Sequence, residues 1–363
     1  MALPASGGNP PTNPISASDI ANEFGYTNGS ETRLGSYRTT NGQGNFPVSF
    51  GALQFNSIDA QTGGSVPTSG QIKFSDFYGT RLQQVVNFYG SGKGGSRLVA
   101  KDRYNANSSG DVNVIGNYRT RPNNSSGTKV HIHVNQQIGS EKTRVEHCAL
   151  RTGSWDSSTT LQVDVGGSGR IGGAGGDGGR GSDSSNGNST SGRGGDGTSG
   201  LGVQYNPTTV NVASGGVITA GFGGGGGGGG AYDTDKEGAR TASGGGGGGG
   251  AGIPAGAGGA AGFNAGVNGQ PGNAGSISEG GTGGEGGNND GEAVAGDGGT
   301  GGEASDSADS GVTGQGGEGS TYSPGPAGSP GAAIRKTQSS FTVNVNIASS
   351  GSVNGSQNAT TVL

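Results

Sequence analysis

His131 and His133 are separated by one residue in a segment that alternates apolar and polar side chains. Such alternation predicts a β-strand, in which residues two apart project from the same face. In a trimer, three such pairs could place six imidazole nitrogens around an axial metal ion. A histidine pair on a solvent-facing strand is the commoner arrangement. No cofactor is therefore predicted, and the metal site is kept as an alternative.

Two other motifs resemble catalytic sites without meeting their requirements. His147 and Cys148 are adjacent, a spacing that does not give the thiol and base the geometry of an activated nucleophile. The segment 90–94 lacks the leading glycine of a phosphate-binding loop and the Ser or Thr that holds magnesium. Paired carboxylates occur only in the acidic glycine-rich segment, which has no apolar residues nearby to form a pocket. The sequence therefore predicts no enzyme.

The charge pattern excludes a basic surface for nucleic acid. The formal net charge is −5, and residues 279–318 carry nine acidic side chains with no Lys or Arg. Such a run is typical of a solvated, self-repelling surface, and a cation site is the alternative interpretation. No nucleic acid is predicted among the partners.

The composition limits how the chain can fold. Gly accounts for 88 of 363 residues and the hydrophobic set for 27%, too little apolar side chain for one large core. The one cysteine, Cys148, excludes an intrachain disulfide. The first residues lack a charged and an apolar region, and no apolar stretch approaches about eighteen residues, so neither a signal peptide nor a membrane span is predicted. A chain that has little apolar core and is not predicted to be secreted is typical of a component of an assembled particle.

Residues 1–82 are predicted to form a small module of their own. Ser16 precedes Asp19 by three residues, the spacing of a capping box, ahead of a helical face that contains Ile20 and Phe24. Segments 48–53 and 72–79 are weaker copies of the same unit, with chance similarity as the alternative.

A spacing of apolar residues recurs three times further along the chain. Val163-x-Val165-x-x-x-Gly169-x-Ile171 is repeated at 210–218 and 345–353. Three copies with equal spacings predict stacked β-rungs, as in a β-solenoid. The long glycine-rich intervals between the copies are then excursions from a shared β base.

The glycine-rich intervals follow a Gly-Gly-X period of three, for example in 172–181 and 280–287. Three residues per turn is the period of a polyproline-II-type helix, whose backbone groups all point outward. We therefore predict a polyglycine-II bundle with X toward solvent. The uninterrupted runs 223–230 and 244–250 should lie in its middle. A flexible linker is the alternative, whereas collagen and a Ca²⁺ β-roll do not fit the spacing.

The predicted fold class is mainly β and irregular, in four parts. Residues 1–82 form the attachment module and 83–165 a β domain. Residues 166–338 form the polyglycine-II bundle on stacked β-rungs, and 339–363 return as a strand to the β base.

If the glycine helices run back and forth, the connections 182–191 and 231–243 share the end that lies away from the β base. Their polar, charged and aromatic side chains suit recognition of a sugar or a protein loop. The predicted contact residues are Asp183, Asn186, Asn188, Tyr232, Asp233, Asp235, Lys236 and Arg240.

Two parts of the sequence resemble known families. The segments around Ser16–Asp19 and 72–79 resemble a module near the start of tail and virion proteins of tailed phages, which implies attachment to other tail proteins. The glycine pattern, with 149–153 and 169–176 leading into it, resembles the tips of phage tail fibres and the adhesins of T-even-like phages. That resemblance implies a polyglycine-II sandwich whose end loops touch the host.

The predicted function is a tail-fibre or adhesin subunit in the virion tail, made in the host cytoplasm. Its predicted partners are other tail proteins, a bacterial polysaccharide or outer-membrane protein, and two further copies in a trimer. A purely architectural knob or decoration protein is the alternative. An ice-binding protein is disfavoured because outward positions carry mixed charges, such as Asp177, Arg180 and Glu285.

Overall fold

The computed structural model describes residues 14–23, 34, 39–40, 43–44, 59–60, 69–78, 80–81, 83–88, 98–99, 129–142, 144–153, 160–183, 191–235, 238–263, 266–306, 315–316 and 320–362. This part of the chain is mainly β and irregular, as predicted, with α1 (Ala17–Glu23) as its one α-helix and a 3-10 helix at Phe74–Phe77. No helix of the described part is long and apolar enough to span a bilayer.

The strands follow in chain order. The first are β1 (Thr39–Thr40), β2 (Gln43–Gly44), β3 (Asp59–Ala60), β4 (Thr80–Arg81), β5 (Gln83–Phe88), β6 (Leu98–Val99), β7 (Lys129–Val134), β8 (Gln137–Gly139), β9 (Cys148–Arg151), β10 (Thr160–Val165), β11 (Arg170–Gly172), β12 (Ser199–Val203), β13 (Thr208–Val212) and β14 (Val217–Thr219). They are followed by β15 (Ala231–Asp235), β16 (Gly238–Ala242), β17 (Asn288–Asn289), β18 (Ala293–Val294), β19 (Gln315–Gly316), β20 (Ser320–Thr321), β21 (Ile334–Lys336), β22 (Val343–Ile347), β23 (Ser352–Asn354) and β24 (Ala359–Thr360).

Helix α1 begins with the predicted capping box. The Ser16 hydroxyl accepts the Asp19 N–H at 3.1 Å, and the Asp19 carboxylate accepts the Ser16 N–H at 2.7 Å. These bonds satisfy N–H groups that have no partner within the helix. Ile20 is buried, and Phe24 lies outside the described residues.

The segment before the 3-10 helix repeats part of this arrangement. The Asp76 carboxylate accepts the Lys73 N–H at 2.7 Å, the same three-residue link that joins Ser16 and Asp19. Phe77, like Ile20, follows the aspartate directly and is buried. This similarity supports the predicted internal repeat. Its third copy, 48–53, lies outside the described residues.

Three parallel sheets form a three-sided β-solenoid. Their strand orders are β22-β13-β10-β7-β5, β23-β14-β11-β8 and β24-β21-β12-β9-β6, and every pairing within them is parallel. The chain visits the sheets in turn, as in the consecutive strands β22, β23 and β24, so each circuit adds a rung.

The predicted stacking of the recurrent apolar spacing is confirmed. Val163, Val210 and Val345 are in register in the first sheet. The apolar residues that end the three copies, Ile171, Ile218 and Val353, are in register in the second sheet. The equivalent residues of each copy therefore form continuous apolar columns through the solenoid.

A further copy of the apolar spacing, in β7 and β8, was not predicted from the sequence. The turn between these two strands is two residues shorter than in the other copies and has no glycine. Ile132 of β7 pairs with Val163, and Ile138 of β8 pairs with Ile171. β10 ends at Val165 and β11 begins at Arg170, so solenoid pairing continues across the predicted boundary between residues 165 and 166.

The columns are buried inside the solenoid and half-exposed at the rung nearest the C-terminus. Val165 and Val212 are 1% and 2% exposed, whereas Ile347, their partner in β22, is 48% exposed. Each Å² of buried apolar surface contributes about 25 cal/mol to stability, so the inner rungs are stabilised most.

The glycine-rich segments are inserted between the second and third sheets. Segments 1 (173–182) and 2 (191–198) lie between β11 and β12. The others lie between β14 and β21: segments 3 (220–230), 4 (243–251), 5 (254–262), 6 (267–276), 7 (279–287), 8 (295–303) and 9 (322–331). Both insertions are therefore excursions from the solenoid, as predicted.

Hydrogen bonds between these segments repeat every third residue. The N–H groups of Gly173, Gly176, Gly179 and Ser182 donate to the carbonyls of Thr219, Phe222, Gly225 and Gly228 at 2.8–3.1 Å. Segments 1 and 3 therefore run in the same direction, and each segment bonds across to others. The outward positions Asp177, Thr282 and Glu285 are exposed, as the Gly-Gly-X period predicts.

Segment 4 lies in the middle of the bundle. Its backbone is hydrogen-bonded to segments 1, 3, 5, 6, 7 and 8. Residues 220–231 and 242–253 are all buried although they are almost free of large side chains. The prediction that the uninterrupted glycine runs are surrounded by other segments is confirmed.

Candidate functional site

The bundle has one end at the solenoid and one end away from it, which we call the far end. At the solenoid end, the Ser140 N–H donates to the Ile253 carbonyl at 3.0 Å, and Ile253 is buried against Gly139 and Gly172. The hydrogen bonds step three residues at a time from Gly173 to Ser182. Residues 182, 191, 230 and 243 therefore lie at the far end.

The two connections predicted to share the far end do so in their described residues. The Ser182 hydroxyl accepts the Gly230 N–H, and the Ser191 hydroxyl donates to the Gly228 carbonyl at 2.9 Å. Asn186, Asn188 and Lys236, three of the predicted contact residues, lie outside the described residues.

The first far-end hairpin consists of β15 and β16, with Asp235 paired to Gly238 at its tip. Ala231 and Ala242 at its base are buried in a small cluster with Ala293 and Ala295. Tyr232 is half-buried and pairs across the strands with Thr241. The hairpin is therefore anchored at its base and presents its tip outward.

The predicted contact residues of this hairpin differ in exposure. Asp233 is 3% exposed and offers a receptor little surface, whereas its cross-strand neighbour Arg240 is half-buried. Asp235 ends β15, and Thr234 beside it is exposed. That these residues contact a receptor stays a prediction.

A second far-end hairpin, of β17 and β18, lies beside the first. Its turn has Asp290 and Gly291 at φ 55° and 80°, and the Asn288 carboxamide oxygen accepts the Gly291 N–H at 2.9 Å. Two positive φ values in succession favour Asn, Asp and Gly. An ion pair between Arg240 and Glu292 joins the two hairpins.

Asp183 belongs to a third cluster at the far end. Its carboxylate accepts hydrogen bonds from the Arg180 guanidinium at 2.6 Å and from the Phe263 N–H at 2.9 Å. The Arg180 guanidinium carbon lies 4.4 Å from the centre of the Phe263 ring. Arg180 and Asp183 are three residues apart, the interval at which the hydrogen bonds between segments repeat.

Sequence reasoning missed Phe263, Asp290 and Glu292 as far-end residues. The Asn-Asp-Gly sequence at 289–291 signals a hairpin turn, but it lies within the acidic run, whose charge pattern predicts only a solvated surface. Phe263 is an isolated aromatic residue at the end of a Gly/Ala-rich segment. Its position indicates where the segment ends, but the composition does not show at which end of the bundle that is.

The histidine pair lies on the solenoid. His131 and His133 are in β7, paired with Gln162 and Asp164 of β10, and they alternate with the buried Ile132 and Val134. Within the described residues, no three His, Cys, Asp or Glu side chains form a group suited to a metal ion. A metal between histidine pairs of several subunits stays a prediction.

Acidic side chains link the outer segments along their length. The Asp177 carboxylate accepts hydrogen bonds from Lys142 and from the Ala257 N–H, both at 2.7 Å. Burial would raise the pKa of Asp177, but these two hydrogen bonds hold it below its usual value. In Asp196, the hydrogen bond from Arg193 lowers the pKa against the effect of burial, aided by the Ser329 N–H.

Comparison with known proteins identifies a matching family. The family model described as phage tail fibre adhesin Gp38 matches residues 99–358, well over half of the chain and including the solenoid rungs from β7 and all the described glycine segments. No curated protein and no solved structure gives a significant match.

Proposed function

Because the chain belongs to the phage tail fibre adhesin Gp38 family, we propose that the far end of its glycine bundle binds the surface of the host bacterium. Family membership makes the chain a tail-fibre adhesin subunit of the virion tail, with other tail proteins and a host receptor as partners.

The bundle suits the role of a stiff support. Its backbone hydrogen bonds run between segments at 2.7–3.1 Å, and their three-residue period supports polyglycine-II helices. Ordering a glycine costs about 1–2 kcal/mol, and a hydrogen bond returns about 1 kcal/mol, so single segments would not hold a shape. A bundle bonded on all sides can hold loops at a fixed distance from the solenoid.

The observation that carries the proposal is the meeting of the two hairpins at one end of the bundle. Arg240 and Glu292 tie them together, and the exposed Thr234, Asp290 and Glu292 give this end a polar surface. A polar surface held by a rigid base loses little entropy on binding.

We propose that the N-terminal module joins the adhesin to another tail protein. The repeated link from an aspartate to the N–H three residues earlier, at Ser16 and Lys73, supports a small folded unit built from a duplicated motif. The family match begins at residue 99, so this unit precedes the part shared with the Gp38 family.

An insertion experiment tests the far-end proposal. A short Gly/Ser peptide inserted at the β15–β16 tip, after Lys236, should abolish binding of the labelled protein to susceptible cells. Tips of exposed loops tolerate insertions, so the fold should persist. The matched control carries the same peptide after Ser278, in an exposed turn at the solenoid end, and should bind as the unmodified protein does.

Equal binding by both insertion variants would exclude the far end as the host-binding surface. If the far-end insertion instead left cell binding intact and disrupted particle assembly, an architectural role would account for the result.

A further inference from the structure

Phe263 is an exposed aromatic ring at the far end. The large hydrophobic residues exposed in the described part of the chain are Phe74, Phe263, Ile277 and Ile347, at 43–52%. Of these, Phe263 is the one at the far end, where it directly follows segment 5 and is 52% exposed. Among the described residues, it is therefore the large hydrophobic side chain that this end exposes.

The ring is held in place by its neighbours. The Arg180 guanidinium lies 4.4 Å from the ring centre and covers one face. Asp183 bonds both to Arg180 and to the backbone N–H of Phe263, at 2.6 and 2.9 Å. The three residues fix one another, so a ligand would not have to immobilise the ring.

Just over half of Phe263 is exposed even though the Arg180 guanidinium lies over one face of its ring. Among the described residues, those just before the ring, Ala260, Ala261 and Gly262, have small side chains or none. An aromatic anchor for a protein loop needs neighbours that exclude water. A pyranose needs less, because its C–H face stacks on a ring and its hydroxyls bond to polar groups beside it.

We propose that Phe263, Arg180 and Asp183 form a saccharide-binding subsite at the far end. A sugar of the bacterial surface stacks on the exposed part of the Phe263 ring. The Arg180 side chain, which is 45% exposed, donates to its hydroxyls, and Asp183 holds Arg180 and the Phe263 backbone in place. This proposal rests on the proposed function, since the far end must meet the host.

The test uses the full-length protein and the polysaccharide part of lipopolysaccharide purified from a susceptible host. F263A should bind this polysaccharide about tenfold more weakly than the unsubstituted protein, because a stacking surface is lost. F263W, which keeps a stacking face, should retain binding. The matched control is F74A, at a ring of similar exposure in the N-terminal module, and its affinity should be unchanged.

Binding to whole cells separates this proposal from the proposed function. If the protein binds cells but F263A binds the polysaccharide as tightly as the unsubstituted protein, the saccharide subsite is excluded and the far-end function stands. Binding that resists periodate oxidation of the cells but is lost after protease treatment would also exclude it, and would identify a protein receptor. Failure of the unsubstituted protein to bind susceptible cells would exclude the proposed function itself.

Discussion

At the residue scale, single carboxylates connect neighbouring glycine segments. Asp196 accepts hydrogen bonds from Arg193 in its own segment and from the Ser329 N–H of segment 9, at 2.6 and 2.7 Å. Asp177 does the same for the Ala257 N–H of segment 5, and Asp297 for the Gly286 N–H of segment 7. The acidic residues therefore take part in holding the bundle.

The pH dependence of stability should reveal this role. The pKa of Asp196 is lowered in the folded protein, chiefly by Arg193, so its contribution to stability is complete above the ordinary pKa of about 4. That contribution is lost as the pH falls through the lower folded value. D196N should lower the melting temperature by about 2 °C at pH 7, corresponding to about 1 kcal/mol or less, and the difference should shrink below pH 4.

E285Q is the control for D196N, because it removes one exposed acidic charge from an outward position of segment 7. Melting curves between pH 7 and pH 3 compare the two variants with the unsubstituted protein. A D196N effect that matched E285Q at every pH would show that the hydrogen bonds of Asp196 add no stability.

The sequence predicted that outward residues face solvent, and it could not predict what they bond to. Arg180 and Asp183, like Arg193 and Asp196, are three residues apart in the sequence, and this spacing places each pair on one face of the predicted polyglycine-II helix. Which neighbouring N–H each carboxylate accepts depends on which segments are adjacent in the bundle. That adjacency is a tertiary property that no local spacing encodes.

At the element scale, the absence of side chains allows the inner segments to approach each other. A Cβ built on Gly248 would overlap the carbonyl oxygen of Gly281, and Gly248 lies in the central segment. Alanine at this position must push two backbones apart, because neither the oxygen nor the chain that carries it can rotate away. The hydrogen bonds around segment 4 would lengthen with that movement.

We expect G248A to destabilise the protein strongly, by the upper end of the 1–3 kcal/mol that overpacking usually costs, or more. E285A is the control, because Glu285 occupies an exposed outward position in segment 7 and should tolerate alanine within about 0.5 kcal/mol. Denaturant unfolding of both variants measures the difference. Equal midpoints for the two would mean that inner glycines are not closely packed.

The sequence predicted the repeating elements better than the far-end ones. Equal spacings placed Val163, Val210 and Val345 in one column because parallel rungs repeat the same local geometry. The far-end hairpins are short and held by contacts between distant parts of the chain, such as Arg240 with Glu292. A strand of two residues, as in β17 and β18, is too short for an alternation pattern to appear.

At the scale of the whole molecule, the bundle must be stable as a unit or not at all. Segment 4 makes its hydrogen bonds to six other segments, which the chain supplies from as far apart as Gly176 and Gly302. A segment removed from the bundle would lose most of these partners at once. The solenoid supplies a conventional apolar core at one end, and the first turns of the bundle start from it.

Hydrogen exchange measures this cooperativity directly. The buried, bonded amides of 244–250 should exchange as slowly as those of β10 in the solenoid, because both open only when the folded unit opens. The exposed hairpin tip around Thr234 and Gly238 should exchange faster by several orders of magnitude. Added denaturant should release segments 1, 3 and 4 together, since each satisfies the others' backbone groups. Rapid exchange of the amides of 244–250 under native conditions would mean that the glycine segments do not form a rigid support. The far end would then not be held at a fixed distance from the solenoid.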